Sequence, residues 1–311
     1  MAWSIAGKTV VITGATNGIG EAAAIALAKL GAHLILVGRD ASRGAASLAK
    51  VRAAGDTQTG SAGLRAGGPS SGSPGPKLFL ADLSSLAGVR ALANQLKQLP
   101  RIDVLVNNAG AVFETRQVTV DGFERTFALN HLAYFLLTSL LSDKIVASAP
   151  ARIIVVSSEA HRGGKLDFSD LQGERSFSGF RSYGTSKLCN LLFTRELARR
   201  LAGTGVTVNA MHPGTVATGF GRNNKGVIGV GIKLLSPFFR TPEKGAATIV
   251  YLAADPALEG VSGEYFFDLK RKTPTAAAQS DADAAKLWTV SEELTRVPAV
   301  QVPATPATPA L

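Results

Sequence analysis

Seven short apolar runs, rich in valine and isoleucine, recur along the chain: TVVIT at 9–13, HLILV at 33–37, KLFLA at 77–81, DVLVN at 103–107, RIIVVS at 152–157, VTVNAM at 206–211 and EYFFD at 264–268. Short apolar runs with little polar alternation suit strands covered on both faces. Between them lie segments with helical spacing of apolar positions, such as GEAAAIALAKLG, LAGVRALANQLKQL and YGTSKLCNLLFTRELARRLA. This alternation predicts an α/β fold: a single doubly wound, Rossmann-like domain over 1–297, with a seven-stranded parallel sheet and helices on both faces. Its crossovers should be right-handed.

Some segments break the rhythm. Residues 55–76 hold seven Gly, four Ser and three Pro, which predicts a flexible insertion between the second helix and the third strand. Residues 298–311 carry four prolines and no charge, and read as an extended, unpacked tail. Just before it, DADAAKLWTVSEELTRV opens with acids, as a helix N-terminus favours. Leu287, Trp288 and Leu294 should dock that helix.

Composition narrows the function. The chain has 311 residues, 46% hydrophobic and 18% charged, with one cysteine. A lone Cys189 forms no internal disulfide and no Cys/His metal site, so no metal is expected and a reducing compartment fits. No run of about 20 uncharged apolar residues spans a membrane, and the N-terminus has no signal-peptide pattern. A cytoplasmic location follows as an expectation. The net charge is +10. The basic residues are scattered, however, and aromatics make up only 6%, so nucleic acid is not an expected partner. Anionic cofactors suit the charge better.

Candidate chemistry begins after the first strand. TGATNGIG places Gly14, Gly18 and Gly20 where a helix starts. Glycine permits a close backbone approach, and free N–H groups at a helix N-terminus attract phosphate. The spacing is not the G-x-G-x-x-G of the dinucleotide fingerprint. Farther on, Tyr183 precedes Lys187 by four residues, one turn along the same helix face. A cation placed there lowers the pKa of a phenol that is otherwise near 10.

Taken in order, T-G-x-x-x-G-I-G, NNAG at 107–110, Ser158, YGTSK at 183–187 and HPG at 212–214 resemble the classical short-chain dehydrogenase/reductase family, over residues 7 to about 270. ALNHLAYFLLT, APARIIVVSSEAH, AMHPGTVAT and LWTVSEEL resemble its retinol dehydrogenase branch. The resemblance implies an oxidoreductase that moves a hydride between a nicotinamide and a hydrophobic ketone, aldehyde or alcohol. A silent, cofactor-sensing protein on the same fold is the alternative.

In that reading Tyr183 is the general acid/base, and Lys187 supports it and bonds the ribose. Ser158 bonds the substrate oxygen in preference to Ser157, which strand alternation points the other way. Asn130 matches the asparagine that holds a relay water. Gly14, Thr16, Asn17, Gly18, Ile19 and Gly20 bind cofactor, with Asp82 and Leu83 at the adenine. Asn108, Ala109 and Gly110 flank the ribose. Pro213, Gly214, Val216 and Thr218 lie at the nicotinamide. Gly38 stands where NAD-preferring relatives carry Asp, and Arg39 follows, so NADP is the expected cofactor.

Residues 219–244, apolar, basic and glycine-rich, read as a substrate lid, with peripheral membrane contact as another role. His161 is a weaker candidate for the edge of the substrate pocket, and His33, His131, His212 and Cys189 are expected as structural residues. The apolar positions of the Tyr183 helix (Leu188, Leu191, Leu192, Phe193 and Leu197) exceed one buried stripe, which predicts a homodimer or homotetramer.

Overall fold

A computed structural model describes residues 2–61, 75–216 and 240–297. The strands are β1 (Thr9–Thr13), β2 (His33–Gly38), β3 (Lys77–Leu80), β4 (Val104–Asn107), β5 (Ala151–Val156), β6 (Val206–Met211), β7 (Tyr265–Phe267) and β8 (Lys270–Arg271). They form one sheet in the order β3-β2-β1-β4-β5-β6-β7-β8. The first seven are parallel, as the sequence pattern implies. The eighth is a two-residue antiparallel addition, Phe266 opposite Arg271. It was not expected because it lies in a charged LKRK stretch with no apolar run.

Side-chain alternation divides the core into two layers. Val10, Ile12, Leu34, Leu36, Val104 and Val106 point to one face, against helices α1 (Gly18–Lys29) and α2 (Ala41–Ser61). Val11, Ile35, Val37, Leu105, Ile153 and Val155 point to the other, beneath α3 (Leu86–Leu96). Strand order reverses where β1 lies between β2 and β4. Ligands of such sheets bind at the strand ends beside that reversal.

The second half supplies the remaining helices. A short α4 (Arg125–Phe127) runs through a π-helical turn (Ala128–Leu132) into α5 (Ala133–Val146). Then come α6 (Gly179–Arg200), α7 (Pro242–Ala254) and α8 (Asp281–Thr295). Backbone of α2 continues to Ser61, so residues 55–61 of the expected insertion are helical. The rest of that insertion to residue 74, the tail from 298 and residues 217–239, which include 219–239 of the expected lid, lie outside the described residues. The last lid residues, Pro242 to Lys244, form the first turn of α7, capped by Thr241.

Leu188, Leu191, Leu192, Phe193 and Leu197 of α6 are all buried within the chain. Helix α8 helps cover them. Its Trp288 ring lies 4.9 Å from Phe135 of α5 and is stacked 6.0 Å from Phe193 of α6. The apolar surplus that suggested a second subunit is therefore accommodated inside one chain.

Candidate active site

The glycine turn after β1 is built for close approach. Gly14 and Gly18 have φ of +67° and +57°, which side chains rarely tolerate. A Cβ on Gly20 would sit 2.4 Å from the Gly14 carbonyl oxygen. Helix α1 begins at Gly18, and Asn17 ahead of it makes no side-chain cap. Its first N–H groups thus have no partner within the helix, the arrangement that receives phosphate. Ile19 and Val216 both face Gly245 of α7, where a Cβ would meet them at 2.9 and 2.7 Å. The turn and the segment after β6 are thereby brought together.

Asn108 is spent on architecture. Its amide donates to the carbonyls of Thr13 (2.7 Å) and Gly14 (3.2 Å). The Thr13 hydroxyl in turn accepts from the backbone of Asn108 and Ala109, at 2.8 and 3.1 Å. Thr13 thus ties the end of β4 to the glycine turn. Sequence reading overlooked it, although a threonine closing a strand just before the turn was the available signal.

At the end of β2 the backbone of Gly38 meets Thr16: a Cβ would lie 2.3 Å from the threonine methyl. The space at Gly38 is thus filled by Thr16 rather than open. Arg39 is exposed. Partial burial pushes the Asp82 carboxyl up, but Ser84 bonds to it and Arg39 lies close enough that together they hold it below the usual range. Leu83 is buried beside it. Asp40 accepts from the Arg43 backbone at 2.9 Å, at the start of α2.

The reacting end lies beyond β4, β5 and β6. Ser157 donates to the Lys187 carbonyl at 2.8 Å and is buried. Ser158 turns the other way, and its hydroxyl hydrogen-bonds Tyr183. Lys187 is 3% exposed and donates from Nζ to the Val156 carbonyl at 3.0 Å. Its Nζ lies 5.7 Å from the centre of the Tyr183 ring and equally far from that of Tyr134. Burial pushes the Tyr183 phenol up to about 12, with the Ser158 bond acting against it. Burial also pushes Lys187 down to about 7.

Asn130 sits in the π-turn, a widened helical geometry frequent at functional sites. Its Nδ2 donates to the Ala111 carbonyl (2.9 Å) and to Ser186 Oγ (3.0 Å), and its Oδ1 accepts from Ala111 N–H at 2.9 Å. Gly110 completes the convergence, since a Cβ there would be 3.1 Å from Asn130 Oδ1 and 3.5 Å from Lys187 Nζ.

His161 is buried, and its Nδ1 lies 2.7 Å from the Ser158 carbonyl. His212 accepts from Gly214 N–H at 3.2 Å, and its Nε2 lies 3.2 Å from Glu159. Glu159 also pairs with Lys272 at 2.8 Å and with Arg162. Partial burial opposes it, but Lys272, Arg162 and His212 hold Glu159 down at about 2. This clasp joins the segment after Ser158 to the one holding Pro213 and Gly214. The glutamate directly after the second serine was its only trace in the sequence. Buried Cys189 is pushed well above its ordinary pKa. Thr218 lies outside the described residues. Among the described residues there is no metal-ligating cluster, and no helix is long and apolar enough to cross a membrane.

A family model described as short chain dehydrogenase matches residues 8–63 and 75–226. The chain belongs to the short-chain dehydrogenase family. Retinol dehydrogenase 14 of Mus musculus is 45% identical to this short-chain dehydrogenase over 297 residues, covering 92% of this chain and 85% of the relative. A solved structure of an uncharacterised protein from Mycobacterium paratuberculosis superposes with a TM-score of 0.72 at 29% identity, covering 97% of this chain and all of that one. The Pseudomonas aeruginosa RhlG/NADP complex matches with a TM-score of 0.63 at 27% identity, covering 85% of this chain and 95% of the other. This short-chain dehydrogenase is an NAD(P)-dependent oxidoreductase.

Proposed function

We propose that the enzyme uses NADP(H) to interconvert a hydrophobic ketone or aldehyde and the corresponding alcohol, with Tyr183 as general acid and base. The observation that carries this is the meeting of half-buried Ser158 and Tyr183 with buried Lys187, braced by Asn130. The glycine turn, with its free N–H groups at α1, is suited to the cofactor's phosphates. Gly110 lies beside Lys187, and Val216 and Pro213 meet Ile19 of the turn around Gly245. When bound, the nicotinamide supplies or accepts the hydride.

In reduction, the Tyr183 O–H donates its proton to the carbonyl oxygen as that oxygen gains charge. Ser158 offers the same oxygen a hydrogen bond, the kind of preorganised donor that lowers such barriers. The phenolate left behind is stabilised by the Lys187 ammonium and regains a proton from solvent. Oxidation runs the same atoms in reverse. The phenol near 12 and the lysine near 7 oppose phenolate formation in the protein by itself. An anionic cofactor beside Lys187 favours the charged lysine, and a charged lysine favours the phenolate.

NADP is favoured by two features of β2: Gly38 brings no carboxylate, and Arg39 is exposed at the strand end. A planar guanidinium suits a 2′-phosphate. A hydrophobic substrate is supported by the apolar sequence of 219–239 and by the name of the retinol dehydrogenase relative. The test is a panel of hydrophobic ketones, aldehydes and alcohols followed at the NAD(P)H absorbance. Turnover with NADPH or NADP is expected. Silence across the panel with both cofactors would overturn the proposal.

A further inference from the structure

Helix α8 lies at the far end of the chain from the glycine turn, yet it reaches the catalytic helix through hydrogen bonds. Ser291 of α8 is fully buried, and its hydroxyl donates to the Leu287 carbonyl at 2.7 Å. That uses its only proton. The contact of 2.9 Å between Ser291 Oγ and His131 Nε2 therefore has the imidazole N–H as donor. His131 is fully buried in the π-turn, next to Asn130. Asn130 donates to Ser186 Oγ at 3.0 Å, and Ser186 donates to the Tyr183 carbonyl at 2.7 Å. A path of short contacts thus runs from α8 through the π-turn to the backbone of Tyr183.

The surroundings make the path stiff. The His131 ring packs 5.3 Å from Phe127 and edge-on to Phe193 at 6.3 Å. Burial pushes His131 down to about 4, so it stays neutral and keeps one N–H for Ser291 at neutral pH. A π-turn carries one residue more than an α-turn and depends on outside contacts to hold it. Here Ala111 and Ser186 hold the turn at Asn130, and α8 holds it at His131.

We infer that His131 and Ser291 are positioning residues, through which α8 fixes the π-turn and with it Asn130, Ser186 and the register of Tyr183. Neither residue touches the reacting atoms. The inference rests on the catalytic role proposed for Tyr183, and it makes α8 a working part of the active site as well as a cover over α5 and α6.

The test combines a kinetic cycle with a measurement independent of turnover. Ser291→Ala removes one hydroxyl and little volume. It should lower kcat roughly ten-fold, within the range that a small misplacement of a catalytic group costs. Cofactor affinity should stay within about two-fold. In a Ser186→Ala background, where the path is already cut, the same change should alter kcat by less than about two-fold, because coupled residues are non-additive. Side-chain amide NMR reads the path directly: Ser291→Ala should shift the Asn130 side-chain NH2 signals, assigned with Asn130→Asp. Multiplying losses in the cycle, or unshifted Asn130 signals, would overturn the inference. If the signals shift but the wild-type protein turns over no substrate, the path stands and the proposed activity falls.

Discussion

Lys187 Nζ lies 5.7 Å from the centre of the Tyr183 ring while donating to the Val156 carbonyl, so the strand end sets the distance between cation and phenol. One helix turn gives the pair a common face. The end of β5 gives it a fixed depth.

The buried lysine leaves a pH signature in stability. Its folded-state value is near 7, against 10.5 for the free group. Between those values the unfolded chain holds the extra proton, so this group makes stability rise with pH across that window, by up to about 1.4 kcal/mol per pH unit. Below about pH 7 both states carry the proton and the slope vanishes. Thermal unfolding of wild type and Lys187→Met at pH 7 and pH 9 measures it. The wild-type Tm should gain on the variant at pH 9, and a constant difference would contradict the burial argument.

Arg39 should govern cofactor choice. A charge-assisted bond to a 2′-phosphate contributes about 1.5–3 kcal/mol. Partial exposure weakens it, which leaves a preference for NADPH of roughly 10- to 100-fold. Arg39→Ala should remove most of that ratio of kcat/KM at fixed ionic strength. An unchanged ratio would place the phosphate elsewhere. Reversal toward NADH by Gly38→Asp requires a smaller residue at Thr16 as well, because the new Cβ would lie 2.3 Å from the threonine methyl.

Gly20→Ala should weaken cofactor binding while leaving the sheet intact. Its Cβ would be 2.4 Å from the Gly14 carbonyl oxygen and 2.5 Å from Asn108 Nδ2. Relief of that clash opens the turn. Titration of NADPH fluorescence should show at least about a ten-fold weaker Kd, equivalent to about 1.4 kcal/mol. Wild-type affinity would mean that the turn does not bind the phosphates.

Much of this was legible in the sequence because strand alternation and the Tyr183–Lys187 spacing are local. Ser158 was separable from Ser157 because adjacent strand residues face opposite ways, and Ser157 does bond to the Lys187 carbonyl. What escaped notice was non-local. The Glu159–His212 clasp and the Ser291–His131 bond join segments far apart in the chain. The close contact of Gly38 with Thr16 escaped notice for the same reason, because Thr16 belongs to another strand's turn. The apolar surplus on α6 was read as the mark of a homodimer or homotetramer, whereas α8 of the same chain packs on it.

Trp288 measures what that intramolecular partner is worth. It is 2% exposed, between Phe135 and Phe193. Truncation of a buried aromatic costs about 3–5 kcal/mol. At about 2–4 °C per kcal/mol for a chain of this size, Trp288→Ala should lower Tm by roughly 6–20 °C. Calorimetry checks it, and a loss below about 1 kcal/mol would show α8 to be loosely held.

Tyr183→Phe tests the central claim most directly, because it removes one oxygen and nothing else. The measurement is single-turnover hydride transfer with NADPH saturating, beside the Kd of NADPH for the same variant. The account predicts that Kd stays within about two-fold, while the rate falls by at least about 100-fold, the contribution of a positioned acid. A variant retaining a tenth of the wild-type rate would show that the proton comes from elsewhere.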